Sequence, residues 1–218
     1  MNAPAGRDRP AIVTISATYG AGSSVIGPDV AARLDVPYLE RIVSHDLARA
    51  ATVPPEGAAE EERGEGLWRR LFEALTTMPS IVGATMPQPD VGLATDEQVR
   101  DEVEATIRDT TRERGGVVVG RGATCFLSGD PRVLHVRLDG PRERRVEQAM
   151  RIEGIAHDEA ERRLTEVDKT RAAYVRRFYG CDITDPKLYH LVIDSTFLPL
   201  DEAAAVIERA ARASFASH

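Results

Sequence analysis

Two cysteines in 218 residues, neither of them in a C-x-x-C pair, leave too little thiol for a disulfide framework or a zinc cluster. Cys125 and Cys181 therefore read as isolated, buried, reduced thiols. The five histidines form no H-E-x-x-H or comparable spacing, so a metal held by protein groups alone is not expected. Long apolar runs are missing too. No stretch reaches the about 18 uninterrupted apolar residues that suggest a membrane span, and the N-terminal MNAPAGRDRP has no apolar signal core. These absences predict a cytoplasmic protein with no membrane partner. Basic excess is also lacking: the formal charge is −7, which argues against nucleic acid as a general partner, because such binding needs positive surface. A small anionic ligand would have to be met by a local arginine cluster.

A more local absence lies in TISATYGAGSSVIGPDV, residues 14–30. AIVTIS, 11–16, is a β-branched apolar run that reads as a buried strand. Gly20 and Gly22 follow, then Ile26, Val30 and Leu34 at helical spacing, with Pro28 placed in the first helical turn. Strand, glycine turn and helix in this order make an anion site from backbone N–H groups and the helix dipole. The phosphate-loop pattern G-x-x-x-x-G-K-[ST] would put lysine at 23 and a hydroxyl at 24. The chain has Ser23 and Ser24 there and Ala17 at the first glycine. These residues alone would equally serve an ordinary strand-to-helix turn.

What is present elsewhere gives the loop a context. Strands are predicted at 36–39, 117–119, 133–138 and 190–194, and helices at 41–51, 67–75, after the Thr95/Gln98 capping pair, after Pro141, over 158–179, and from Pro199 or Asp201. Thr52–Gly66, with its prolines, glycines and acidic run, reads as an exposed connection. The apolar stripe Leu67, Trp68, Leu71, Phe72 and Leu75 could serve a homodimer or pack on its own domain. Strands alternating with helices predict an α/β domain, a parallel sheet covered on both faces, spanning 11–213 between a disordered 1–10 and a C-terminal tail, 214–218. In such sheets ligands bind beyond the carboxyl ends of the strands. The glycine loop, Gly120-Arg121-Gly122 and Asp194-Ser195-Thr196 all fall there. Arg121 projects at that edge, where its planar fork could take a phosphate or pair with a carboxylate. The helix at 158–179 has Leu164, Val167, Tyr174 and Phe178 on its apolar stripe, leaving Arg162, Lys169, Arg171, Arg176 and Arg177 on other faces.

Together, TISATYGAGSSVIGPDVAARLDVPYLER, VVVGRGATCFL and VDKTRAAYVRRFYGCDITDPKLYHLVIDST resemble the cytidylate kinase-like family, a branch of the P-loop nucleoside monophosphate kinases, over about residues 11–209. The resemblance implies a P-loop kinase-type parallel five-stranded sheet with a helical lid at about 154–186 and an acceptor-binding or variable insertion at about 38–95. It also implies phosphoryl transfer from ATP, or another nucleoside triphosphate, with Mg²⁺ to a nucleoside monophosphate, CMP-like, or a related small acceptor. By position, Gly20, Ala21, Gly22, Ser23, Ser24 and Val25 would cradle donor phosphates and Ser24 would touch Mg²⁺. Arg121 would meet the acceptor phosphate, and Lys169 and Arg171, with Arg176, would close over the transferring group. The loop offers neither the usual lysine nor the arginine that relatives carry near it, and Gly122 and Ser16 stand where acidic groups are expected. A nucleotide-binding pseudokinase with a regulatory or partner-binding role is therefore the alternative reading.

Overall fold

The computed structural model describes residues 11–39 and 96–216. The chain forms two compact units, residues 1–40 with 104–218 and residues 41–103, and the sheet lies in the first. In chain order the elements are β1 (Ile12–Ala17), α1 (Ser23–Leu34), α2 (Asp96–Arg114), β2 (Gly116–Val119), α3 (Ala123–Phe126), β3 (Val133–Asp139), α4 (Arg142–Glu153), α5 (His157–Tyr179), β4 (Leu191–Asp194) and α6 (Leu200–Ala216). The strands order β2-β1-β3-β4 and every pair is parallel, with Ile15 opposite Val119 on one side and Val136 on the other. Parallel pairing demands crossovers, and the helices supply them. The expectation of helices against both faces of a parallel sheet holds.

Side-chain alternation sorts each strand into two faces. Val13, Ile15, Val117, Val119, Leu134, Val136, Leu138 and Ile193 point one way and pack with Ile26, Val30 and Ala31 of α1 and with Ala203, Ala204, Ile207 and Ala211 of α6. The small residues of α6 let that helix lie close to the sheet, and the run of buried alanines explains why a helix of modest hydrophobicity docks there. On the opposite face Thr14 meets His135 (Oγ1 to Nδ1, 2.7 Å) and Thr124 of α3 (3.2 Å), while the His135 amide donates to His190 Nδ1 at 3.1 Å.

His135 is almost fully buried. Burial, with the neighbouring His190, lowers its pKa from 6.5 to about 4, so the folded protein holds this imidazole neutral where the unfolded chain would charge it. Its contribution to stability is complete above pH 6.5 and is lost as the pH falls toward 4, a loss on the order of 3 kcal/mol. Urea unfolding at pH 7, 5 and 4 should show that loss in the wild type, and a smaller acid dependence in His135→Asn.

Three sequence expectations need correction here. Among the described residues the sheet has four strands where five were expected: the segment expected as a strand at 36–39 reduces to one parallel bridge, Tyr38 to Val117, held by Leu39 N to Val117 O (2.8 Å) and Val117 N to Pro37 O (2.9 Å). Pro37 itself has no N–H to extend the ladder. Pro28 lies in the second turn of α1, because the left-handed Gly22 starts the helix at Ser23. Finally, Val167, Tyr174 and Phe178 are only half-buried, and the buried face of α5 is Ala160, Leu164 and Val175. The helix expected at 41–51, the stripe at 67–75 proposed for a dimer, the connection at 52–66, Thr95 and residues 1–10 lie outside the described residues. Among the described residues, no helix is long and apolar enough to cross a membrane.

Candidate active site

The loop between β1 and α1 is shaped by two glycines in the left-handed region, Gly20 (φ 78°) and Gly22 (φ 76°). A Cβ on Gly20 would lie 2.2 Å from the carbonyl oxygen of Arg145, and one on Gly22 would lie 2.7 Å from Leu200 Cδ2. Only glycine lets the loop press against α4 and the start of α6 in this way. Gly20→Ala is accordingly expected to cost at least about 2 kcal/mol, combining a backbone clash with positive φ. Chemical denaturation would measure it.

Neighbouring strand ends and helices hold the loop from outside. Thr18 N donates to Leu138 O at 3.2 Å and Thr18 Oγ1 to Asp139 Oδ1 at 3.0 Å. Burial works to raise the Asp139 pKa, but hydrogen bonds from Gly140, Thr18 and Arg137 bring it below the ordinary carboxylate value. Gln148 donates to Gly20 O (3.0 Å) and Ser195 Oγ to Ala21 O (2.7 Å). The strongest restraint comes from α5: Asp168 accepts from Tyr19 N at 2.7 Å and, through its other oxygen, from Arg145 Nη1 at 2.6 Å. Arg145 also donates to Tyr19 O (3.1 Å) and Gly140 O (3.0 Å). Ala21 N turns back to Thr18 O. Among the described residues no acceptor meets the amides of Gly20, Gly22, Ser23 and Ser24, so four N–H groups are left at the mouth of α1.

Beside this corner stands the turn after β2. Gly120 N donates to Ile15 O at 2.9 Å, which joins the two strand ends. Gly120, Arg121 and Gly122 are all left-handed, at φ 71°, 56° and 69°. For arginine that conformation costs roughly 1–3 kcal/mol, a strain that persists where surroundings enforce it and is enriched at functional sites. The surroundings are Tyr179 of α5. Its ring would meet a Cβ on Gly122 at 2.2 Å, and its hydroxyl donates to Arg121 O at 3.3 Å.

The other residues expected at the site are placed unevenly. Arg171 Nη1 donates to Ala17 O at 2.9 Å, so this residue of α5 reaches the end of β1, where the loop begins. Lys169 is exposed on the same helix. Arg176, exposed, pairs with Asp182 at 3.7 Å. Ala21 and Gly22 are buried, Ser23 is half-buried, and Ser24 and Val25 are exposed at the start of α1. At the end of β1, Ser16 Oγ accepts from the Tyr189 hydroxyl (3.2 Å).

Mg²⁺ prefers oxygen ligands, keeps several waters and often arrives on substrate phosphates. Among the described residues no three His, Cys, Asp or Glu side chains converge on a cation position, and Asp139 is already committed to Thr18 and Arg137. An ion carried by a polyphosphate would need no such cluster, and Ser24 presents a solvent-facing hydroxyl at the start of α1.

Sequence reading missed Asp168, Arg145 and Gln148. Asp168 stands inside the Asp-Lys-x-Arg stretch, where only the bases attracted notice, and the other two sit on a helix noted for its apolar positions. It also missed Phe197, which is 74% exposed just past β4, in the turn that Ser195 ties to the loop. The Arg144 guanidinium lies 6.0 Å from the Phe197 ring centroid and is paired with Asp194 at 2.8 Å.

Comparison with known proteins gives a consistent result. A family model described as the cytidylate kinase-like family matches residues 12–196. A cytidylate kinase from Methanopyrus kandleri is 33% identical over 124 residues, 56% of this chain and 63% of that protein. One from Natronomonas pharaonis is 26% identical over 118 residues, 54% of this chain and 62% of that protein. The chain thus spans a little over three fifths of the length of these curated relatives. The crystal structure of an uncharacterized protein from Eubacterium ventriosum superposes with a TM-score of 0.63 at 16% identity, covering 93% of this chain and 98% of the other, which is a likeness of fold.

Proposed function

The chain belongs to the cytidylate kinase-like family, and from that premise we propose that it transfers a phosphoryl group from ATP, or another nucleoside triphosphate, to a nucleoside monophosphate of the CMP type or a related small phosphate acceptor. The observation that carries the reading is one corner. There the amides of Gly20, Gly22, Ser23 and Ser24, without acceptors among the described residues, open beside the strained Arg121.

Phosphoryl transfer asks for positioning and charge neutralisation more than for covalent chemistry. An acceptor phosphate is already an ionised nucleophile, so no base is required. In this reading the amides of residues 20–24 hold the donor phosphates and Arg121 holds the acceptor phosphate in line. The 154–186 region acts as a lid, with Arg171 and Lys169, joined by Arg176 on closure, neutralising the transferring group in place of the loop lysine. Magnesium, bound through Ser24 and the donor phosphates, would supply further neutralisation. Phe197 with Arg144 offers an exposed aromatic face and a guanidinium for a planar base.

A coupled assay across the nucleoside monophosphates and several triphosphate donors tests the proposal. Magnesium-dependent turnover with at least one pyrimidine monophosphate is the expected result. Tight nucleotide binding with no turnover for any pair would replace the enzyme with a nucleotide sensor.

A further inference from the structure

Gly120, Arg121 and Gly122 follow one another in the left-handed region, and Gly122 caps α3. The glycines adopt that region freely, but Arg121 does so at a cost. Backbone hydrogen bonds anchor Gly120, whose N–H donates to Ile15 O and whose carbonyl accepts from Ala123 N at 3.0 Å. The last residue of α5 meets the other two. The Tyr179 ring lies where a side chain on Gly122 would project, with Cε2, Cδ2 and Cζ at 2.2, 2.7 and 2.9 Å from an ideal Cβ, and its hydroxyl donates to Arg121 O at 3.3 Å. The ring is itself braced. Its centroid is 6.0 Å from that of Phe126 in α3 and 6.1 Å, edge-on, from that of Tyr174 earlier in α5. Phe126 in turn lies 5.0 Å under the Arg108 guanidinium of α2, and its carbonyl accepts from Arg108 Nη2 at 2.8 Å. The packing is local: Cys125, next to Phe126, and Cys181, just past Gly180, are half-buried where buried thiols were expected.

We propose that Tyr179 is a positioning residue: by closing on Gly122 and hydrogen-bonding to Arg121 O, it enforces the left-handed turn that sets the direction of the Arg121 side chain. The aim of that guanidinium then depends on where the end of α5 lies. Backbone φ and ψ fix the direction in which Cβ leaves the chain, so a turn relaxed into the right-handed region sends the guanidinium elsewhere. A misplacement of about 1 Å at a reacting group can cost about 10²-fold in rate. The same helix carries Arg171, which reaches the end of β1, and Asp168, which holds the Tyr19 amide. One helix thus grips both sides of the corner, its middle on the segment after β1 and its end on the turn after β2. The consequence for turnover rests on the phosphotransferase reading, whereas the grip on the backbone does not.

Two cycles of variants in the full chain test it. In thermal melting, Arg121→Gly should melt about 2–4 °C above Arg121→Ala while Tyr179 is present, because only the alanine is strained. Tyr179→Leu should shrink that gap to under about 1 °C by letting the turn relax. Equal gaps in both backgrounds, or no gap in either, would show that Tyr179 does not enforce the turn and would overturn the proposal. In the coupled assay, Tyr179→Leu should lower kcat/KM for the monophosphate by about 10–100-fold, leave the donor KM within about twofold, and have no further effect once Arg121 is alanine. Tyr179→Phe, which keeps the ring, should recover most of that loss. A loss that adds in full to that of Arg121→Ala, or donor and acceptor KM rising together, would make Tyr179 a structural support and overturn the positioning. A wild type without turnover on any nucleotide pair would sink the phosphotransferase reading, and the melting cycle then decides the proposal by itself.

Discussion

Arg121→Ala is expected to lower the turnover number by about 10³-fold, the lower end of what a transition-state arginine supplies in phosphoryl transfer. The size follows from scarcity. The loop has Ser23 at its lysine position, so positive charge at the corner comes from the amides, Arg121 and α5. In the proposed reading the Arg121 guanidinium forks onto the acceptor phosphate, so its removal would take away charge and orientation together. The backbone of residue 121 makes a separate demand: at φ 56° it holds a conformation that glycine adopts without strain. Arg121→Gly should therefore lose turnover as fully as Arg121→Ala and be no less stable than it. Steady-state kinetics and thermal melting of the two variants check both halves. A variant that melts early and keeps its turnover would make Arg121 a structural residue.

Asp168→Ala is expected to destabilise the protein by about 3 kcal/mol. The pair it forms with Arg145 is largely out of solvent, with the side chains 25% and 11% exposed. Deleting one member of such a pair leaves the other charge buried and uncompensated, which costs about 3–5 kcal/mol when burial is complete. The value expected here is at the low end because Asp168 keeps some solvent. The Tyr19 amide would lose its acceptor as well. Asp168→Asn, which keeps an acceptor oxygen, should lose less. Urea unfolding of both variants measures the difference. Equal losses would mean that the carboxylate charge contributes nothing to holding α5 on the loop.

Much of the fold was legible because its signals are local. The apolar β-branched runs at 12–17, 116–119, 133–139 and 191–194 became strands within a residue or two of expectation, and the glycine turns fell at the strand ends. The fifth strand was not legible in its true extent, since Val36–Leu39 carries the right composition but Pro37 limits its pairing. The geometry of the candidate site was half legible. Gly20, Gly22 and Arg121 announce themselves through residue type and spacing. Asp168, Arg145 and Gln148 act on the loop across 149, 126 and 128 positions respectively, and no periodicity encodes such a contact.

The most direct measurement of the central claim is a crystal structure with a bisubstrate nucleotide, two nucleosides joined by a polyphosphate. The account predicts phosphate oxygens within hydrogen-bond distance of the amides of Gly20, Gly22, Ser23 and Ser24 at one end and of the Arg121 guanidinium at the other. Polyphosphate bound away from both, or a corner that stays closed by protein groups at saturating ligand, would contradict it.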